Sequence, residues 1–108
     1  FSIPGQGRAL MHHIARRNGA AVLATDFAAC NAYAAGLDAA AALRCPALFL
    51  LGANDQMTPP RAARALREAC PEATEIIVPG CGHELMTEAA VPVLEALKRF
   101  AARVLRAA

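Results

Sequence analysis

Tryptophan is absent from these 108 residues, and aromatic side chains make up only 5% of them. That leaves no platform on which nucleic-acid bases could stack. Charge of one sign is also scarce: the net charge is +2, and the arginines are spread along the chain instead of forming a block. Neither a nucleic acid nor an anionic membrane is therefore expected as a partner. No apolar run approaches the ~18 residues of a membrane span. The four cysteines (Cys30, Cys45, Cys70, Cys81) include no C-x-x-C pair and no metal-ligand spacing. An even count also suits two disulfides of a secreted protein. Reduced thiols of a cytoplasmic protein, serving as small apolar residues, are expected instead. No metal and no cofactor is expected. Serine is nearly missing: Ser2, in the context Phe-Ser-Ile-Pro, is the only one. Gly5-x-Gly7 lacks a third glycine and follows no strand, so it does not read as a phosphate-binding loop.

What is abundant is alanine and other apolar residues, 56% in all, against 19% charged residues. Both figures depart from the usual balance in the direction of burial, although alanine contributes little area. The length allows one domain at most. Phe1 in place of an initiator methionine, followed by a loop-like Ser-Ile-Pro-Gly, suggests a fragment or a processed product.

Local signals divide the chain into elements. Residues 1–7 read as a loop and Arg8 to Arg17 as a helix with an apolar stripe at Leu10, Met11 and Ile14, stopped by Asn18-Gly19. The alanine-rich stretch Ala20 to Ala35 reads as helical, with Asp26 capping a second piece of it and Gly36 ending it. Asp38 opens a short turn that runs to Leu43. Cys45-Pro46 marks a boundary. Ala47 to Leu51 is a short apolar run without alternation, the pattern of a parallel strand covered on both faces. Pro59-Pro60 suits a helix start, Arg61 to Ala69 continues it, and Pro71 stops it. Glu75 to Pro79 is a second strand, β-branched at Ile76, Ile77 and Val78. Gly80 to Gly82 form a turn. Pro92 opens a last helix, with Val93, Leu94, Leu97, Phe100, Ala101, Val104 and Leu105 as its apolar face. The closing order β-α-β-α calls for two parallel strands and a right-handed crossover. Two such strands alone make a poor sheet, so further strands are expected as neighbours.

Each strand ends in a tight turn that carries one group able to do acid–base work, Asp55 after the first and His83 after the second. Functional groups of open parallel sheets sit just past the carboxyl ends of the strands. A carboxylate there can hold the Nδ1 proton of an imidazole and stabilise the ring when it becomes charged. Histidine suits the second position because it titrates near neutrality. The alternative for each residue singly is plainer: a turn-capping aspartate and a loop histidine. The matched positions, 28 residues apart, favour the pair.

These residues carry a resemblance. Gly52, Asp55 and Pro59 in Gly-Ala-Asn-Asp-Gln-Met-Thr-Pro-Pro are similar to the acid loop of α/β-hydrolases, G-x-x-D-x-x-x-P. Gly80, Gly82 and His83 resemble the histidine loop of that family, and the likeness extends over Cys45 to Phe100. The resemblance implies the C-terminal β-α-β-α portion of a parallel α/β-hydrolase sheet over residues 45–108. The alanine-rich helices of residues 1–44 are then a remnant of a helical cap or lid. It further implies that Asp55 is the acid and His83 the general base of a Ser-Asp-His triad acting on a small-molecule acyl ester or a similar bond. The family order is serine, acid, histidine, with the serine in a G-x-S-x-G elbow. Ser2 does not match that elbow, and neither nucleophile nor oxyanion hole is visible in this sequence.

Other candidates read more simply. Asp26, between Ala24 and Ala28, formally fits a small-x-nucleophile-x-small pattern, as an aspartate nucleophile of dehalogenase-like or epoxide-hydrolase-like relatives would. It stands only 29 residues before Asp55, and Cys30 fits the pattern as well. His12 and His13 point two ways around a helix. Cys81 reads as turn filling, Met57, Leu85 and Met86 as packing, and Glu84 and Glu88 as helix-entry carboxylates. A reading of a different class is a non-catalytic, hydrolase-derived module that binds a partner through its sheet edge and cap helices. In either case the isolated chain is expected to self-associate through that edge.

Overall fold

The computed structural model describes residues 5–107. Phe1 to Pro4, including Ser2, lie outside the described residues, as does Ala108. The elements run α1 (Gly5–Asn18), α2 (Ala21–Ala32), α3 (Gly36–Ala41), β1 (Ala47–Gly52), α4 (Pro60–Ala69), β2 (Ala73–Val78), α5 (Leu85–Glu88) and α6 (Ala90–Ala107). They form two compact units that divide between Ala35 and Gly36.

The first unit holds α1 and α2. α1 already begins at Gly5, inside the stretch expected to be a loop up to Gly7. Asn18 and Gly19 end α1 as expected, and the Gly19 N–H returns to the Ala15 carbonyl at 2.9 Å. Met11 and Ile14 are half-buried, whereas Leu10 is exposed. Two helices alone cover one side of each other, so a wide stripe cannot be buried entirely. The helical reading of Ala20 to Ala35 holds only to Ala32. Tyr33 is extended, and its N–H closes the helix on the Cys30 carbonyl. Alanine propensity is a weak force without a face to bury, and α2 buries no residue. Asp26 lies inside α2, exposed, and caps nothing. Gly36 does not end a helix but opens α3, which places Asp38 in its first turn.

The second unit is the sheet and its helices. β1 and β2 pair in parallel, from Ala47 opposite Ala73 to Gly52 opposite Val78. Their connection through α4 is the β-α-β order that the strand and proline signals imply. Pro60 occupies the first turn of α4, where no backbone N–H is needed. Arg67 of α4 meets Glu75 of β2 at 2.8 Å, which places α4 over the Glu75 face of the sheet. α6 lies over the opposite face. There Arg103 donates to the Thr74 hydroxyl at 2.8 Å, and its guanidinium stacks over Phe100. Thus the sheet is covered on both faces, as a parallel sheet requires.

Cover is incomplete, however. Every residue of β1 is at least half-buried, but Ile76 and Ile77 of β2 remain exposed. A two-stranded sheet has an edge on every strand, so among the described residues there is no central strand. The buried line of α6 runs through Val93 and Ala96 toward Phe100, while Leu94, Leu97 and Leu105 face outward. The apolar face expected on α6 was wider than this narrow sheet can bury. Between α6 and the sheet a cavity of about 330 Å³ opens on Leu48, Thr74, Ile76 and Phe100, with arginines on its rim. Pro92 sits in the first turn of α6, which begins at Ala90, earlier than the proline suggests. No helix among the described residues is long and apolar enough to cross a membrane.

All four cysteines are free. Cys70 and Cys81 are buried and pack as small apolar groups, whereas Cys30 and Cys45 are exposed.

Candidate active site

Both strands end side by side, and the chain leaving each one turns across the same rim. β1 ends at Gly52, and the Asp55 N–H closes the following turn on the Gly52 carbonyl at 3.2 Å. The loop after β2 folds over it. Gly80 adopts φ +72°, a conformation that L side chains avoid, and so reverses the chain. The Cys81 carbonyl then accepts the Asn54 N–H at 2.8 Å, tying the two loops together. This approach is possible because residue 52 is glycine. A Cβ there would collide with the carbonyl oxygens of Gly82 and Cys81, the latter 2.7 Å away. Gly52→Ala is therefore expected to push the histidine loop off the rim and to destabilise the fold by about 1–3 kcal/mol, the usual cost of overpacking. A urea midpoint unchanged from that of the parent chain would refute the contact.

Asp55 is 6% exposed and saturated with donors. Its Oδ1 accepts the N–H groups of Met57 and Thr58, both at 2.9 Å. Its Oδ2 accepts the Thr58 hydroxyl at 3.0 Å and lies 3.0 Å from Nδ1 of His83. Burial is the largest single influence on this carboxyl, and it opposes the charged form. The Thr58 N–H, the His83 ring, the Thr58 hydroxyl and the Met57 N–H together outweigh it. They hold the pKa at about 2, below the ordinary 3.8. Asp55 is thus a fixed anion at neutral pH.

His83 presents the complementary environment. Its side chain is 41% exposed, against 7% for that of Asp55. Nδ1 faces the carboxylate, and Nε2 makes no hydrogen bond among the described residues. The ring is anchored by its loop: the Gly82 N–H donates to the Glu88 carboxylate at 3.1 Å. An imidazole held at Nδ1 by a buried anion, with Nε2 free, can take a proton at Nε2 and have the new charge stabilised from behind.

The two residues that the sequence pairs, Asp55 and His83, are brought together. The others are not part of this geometry. His12 and His13 are exposed on α1. Asp26 and Cys30 lie in α2, so neither stands on a strand-to-helix turn. Cys81 is buried and joins the site through its backbone carbonyl. Met57 and Met86 are exposed instead of packed. Glu84 precedes α5 without capping it by its side chain, and Glu88 closes that helix while reaching back to Gly82. Two contributors escape the sequence. Thr58 has a readable signal, a hydroxyl three residues after an aspartate in a turn. Glu88 has none, since its reach depends on the single turn of α5. Among the described residues, no group of three His, Cys, Asp or Glu side chains could hold a metal ion.

Comparison with curated proteins gave no match. A family model described as the alpha/beta hydrolase fold matches residues 6–90. That span takes in both loops of the rim, the parallel strand pair and most of the chain, and on it the protein is a member of the α/β-hydrolase fold family.

Proposed function

We propose that this chain is the C-terminal part of a hydrolase that cleaves an acyl ester or a related small-molecule acyl bond. Asp55 serves as the acid and His83 as the base of a Ser-Asp-His triad. The observation that carries this reading is the 3.0 Å contact between the buried Asp55 carboxylate and Nδ1 of an imidazole whose Nε2 makes no hydrogen bond among the described residues. The nucleophilic serine stands in an elbow on polypeptide outside this sequence. His83 Nε2 takes the serine proton as the serine oxygen bonds to the carbonyl carbon. The imidazolium, stabilised by Asp55, then returns that proton to the leaving alcohol. In the second half His83 takes a proton from water, which attacks the acyl-enzyme, and then returns it to the serine oxygen as the acyl–serine bond breaks and the acid leaves. No cofactor or metal takes part. Residues 45–108 form the core portion in this reading and residues 1–44 the end of a cap. The free thiols are consistent with a reducing, cytoplasmic location. Asp26, inside a helix, lends no support to an aspartate nucleophile.

Exposed Ile76, Ile77 and Leu97, together with the open strand edges, favour a second reading: a non-catalytic module that docks through this surface. The same surface supports self-association of the isolated chain. Assay of p-nitrophenyl acetate hydrolysis by the isolated chain is expected to show no turnover that depends on His83. Turnover lost on His83→Ala would overturn the assignment of the nucleophile to other polypeptide. The acid–base roles are tested by replacing the matching segment of an active esterase of this fold with residues 45–108. The hydrolase reading expects an active chimera that needs His83, and the docking reading expects a folded but inactive one.

A further inference from the structure

We infer that the cavity of about 330 Å³ between α6 and the sheet is a binding site for a free medium-chain alkanoate, with the alkyl chain inside it and the carboxylate on a row of arginines. The inference does not rest on the reading of Asp55 and His83. Those residues follow the strand ends at Gly52 and Val78, whereas the cavity opens beside Leu48 and Thr74, which pair near the strand starts. Its floor is apolar, made by Leu48, Ile76 and Phe100. Its rim carries Arg99, Arg103 and Arg106, which steps of four and three residues place on one face of α6.

An arginine row is unusual in this place. The side of an amphipathic helix that faces a sheet is ordinarily apolar, with the charges opposite. Attraction to the helix C-terminus accounts for Arg106 in the last turn of α6, but not for Arg99 near its middle. Neighbouring acids do not account for it either. The ion pairs among the described residues are Arg67 with Glu75, His83 with Asp55 and Lys98 with Glu95, and none involves the row. Arg103 gives one hydrogen bond to the Thr74 hydroxyl and lies over the Phe100 ring, which holds its planar head at the cavity mouth. A guanidinium has five N–H donors, so most of Arg103 stays available, and its fork fits both oxygens of a carboxylate. Three positive charges around an apolar hollow call for one anion with an apolar tail. The partial negative charge of the helix end opposes that anion only near Arg106, and it is smaller than the charges of the row. The volume lies at the low end of ligand pockets, which suits a single alkyl chain and not a two-chain lipid. A second copy of the chain fits less well, because a two-fold contact would set the arginine row against itself.

The test titrates the ¹⁵N-labelled chain with decanoate below its micelle concentration, at about pH 7.5, where a carboxylate is charged. Amide spectra report both the place and the affinity of binding. Saturable shifts are expected at Leu48, Thr74, Ile76 and Phe100, with a single acid bound per chain. Affinity is expected to rise about threefold for each methylene from hexanoate to decanoate, as the tail fills the cavity. Decanol, which has the same tail and no charge, is expected to bind about tenfold more weakly. Arg99→Gln combined with Arg106→Gln, both at exposed positions, is expected to weaken decanoate about tenfold and to leave decanol unchanged. This pair keeps Arg103 and its bond to Thr74, and Arg99→Gln alone replaces it if the double variant does not fold. Equal affinity for decanol, shifts confined to the loops of Asp55 and His83, or uptake that does not saturate would each overturn the inference. So would binding of the chain to phosphatidylglycerol vesicles without binding of free decanoate, which would make the row a lipid contact. The outcome is separate from catalysis. Decanoate held in this cavity by a chain whose esterase chimera is inactive would sink the hydrolase reading and leave the site standing.

Discussion

His83→Ala, in an esterase completed by residues 45–108, is expected to lower kcat by about 10⁶-fold and to leave KM little changed. The magnitude follows from the role: loss of a triad member removes proton transfer at both halves of the reaction and leaves only binding and oxyanion stabilisation. The split between kcat and KM follows from the geometry. His83 sits on the rim with its Nδ1 side occupied by Asp55, and only Nε2 is free to meet the reacting oxygen. Proton transfer matters in the transition state, so its removal falls on kcat. Loss that appeared in KM alone would mean that the ring binds substrate without taking its proton. His83→Gln offers a control, since it keeps a polar side chain of similar reach but cannot serve as a base near neutrality.

The second large effect concerns Asp55 and pH. Its folded pKa of about 2 lies below its ordinary 3.8. A depressed carboxyl contributes stability that is present above the unfolded pKa and is lost as pH falls through the folded one. The window therefore runs from about pH 5 down to about pH 2. The shift corresponds to about 2 kcal/mol, of which about half is lost by pH 3. In a small domain with a sparse core that is a sizeable share of total stability. Urea unfolding at about pH 7 and about pH 3 should show a drop in the parent chain that is about 1 kcal/mol larger than in Asp55→Asn. The same substitution leaves the Met57 and Thr58 N–H groups with weaker acceptors, so it also lowers the midpoint at neutral pH. Equal acid sensitivity in the two chains would show that the hydrogen bonds to Asp55 do not favour its charged form.

The parts of this structure that were legible beforehand are those with a strong local cause. Strand β1 follows from an apolar run closed by Gly52, helix α4 from Pro59-Pro60, and the loop geometry from Gly80 and Gly82. Asp55 and His83 could be paired because each is the acid–base group at the end of a strand, and parallel strands put such ends on one rim. What could not be read depends on neighbours. The alanines between Ala20 and Ala35 carry helical propensity but no periodicity, so nothing local marks the break at Tyr33 or the new start at Gly36. The sequence marks a wider apolar line on α6 than is buried, because burial depends on how broad a sheet lies beneath it, and among the described residues that sheet has two strands. Thr58 and Glu88 act through contacts whose geometry appears only when the loops are folded. Thr58 had a turn pattern to betray it, whereas Glu88 had no signal at all.

In the proposed hydrolase Asp55 and His83 act as a single relay. Members of a catalytic unit are not additive: once the base is gone, its orienting partner has nothing left to orient. The direct measurement is kcat of the esterase chimera for Asp55→Asn, His83→Ala and the double variant. A relay predicts that the double variant is no slower than His83→Ala alone. Losses that multiply across the two sites would contradict it, and would mean that Asp55 and His83 serve the enzyme independently.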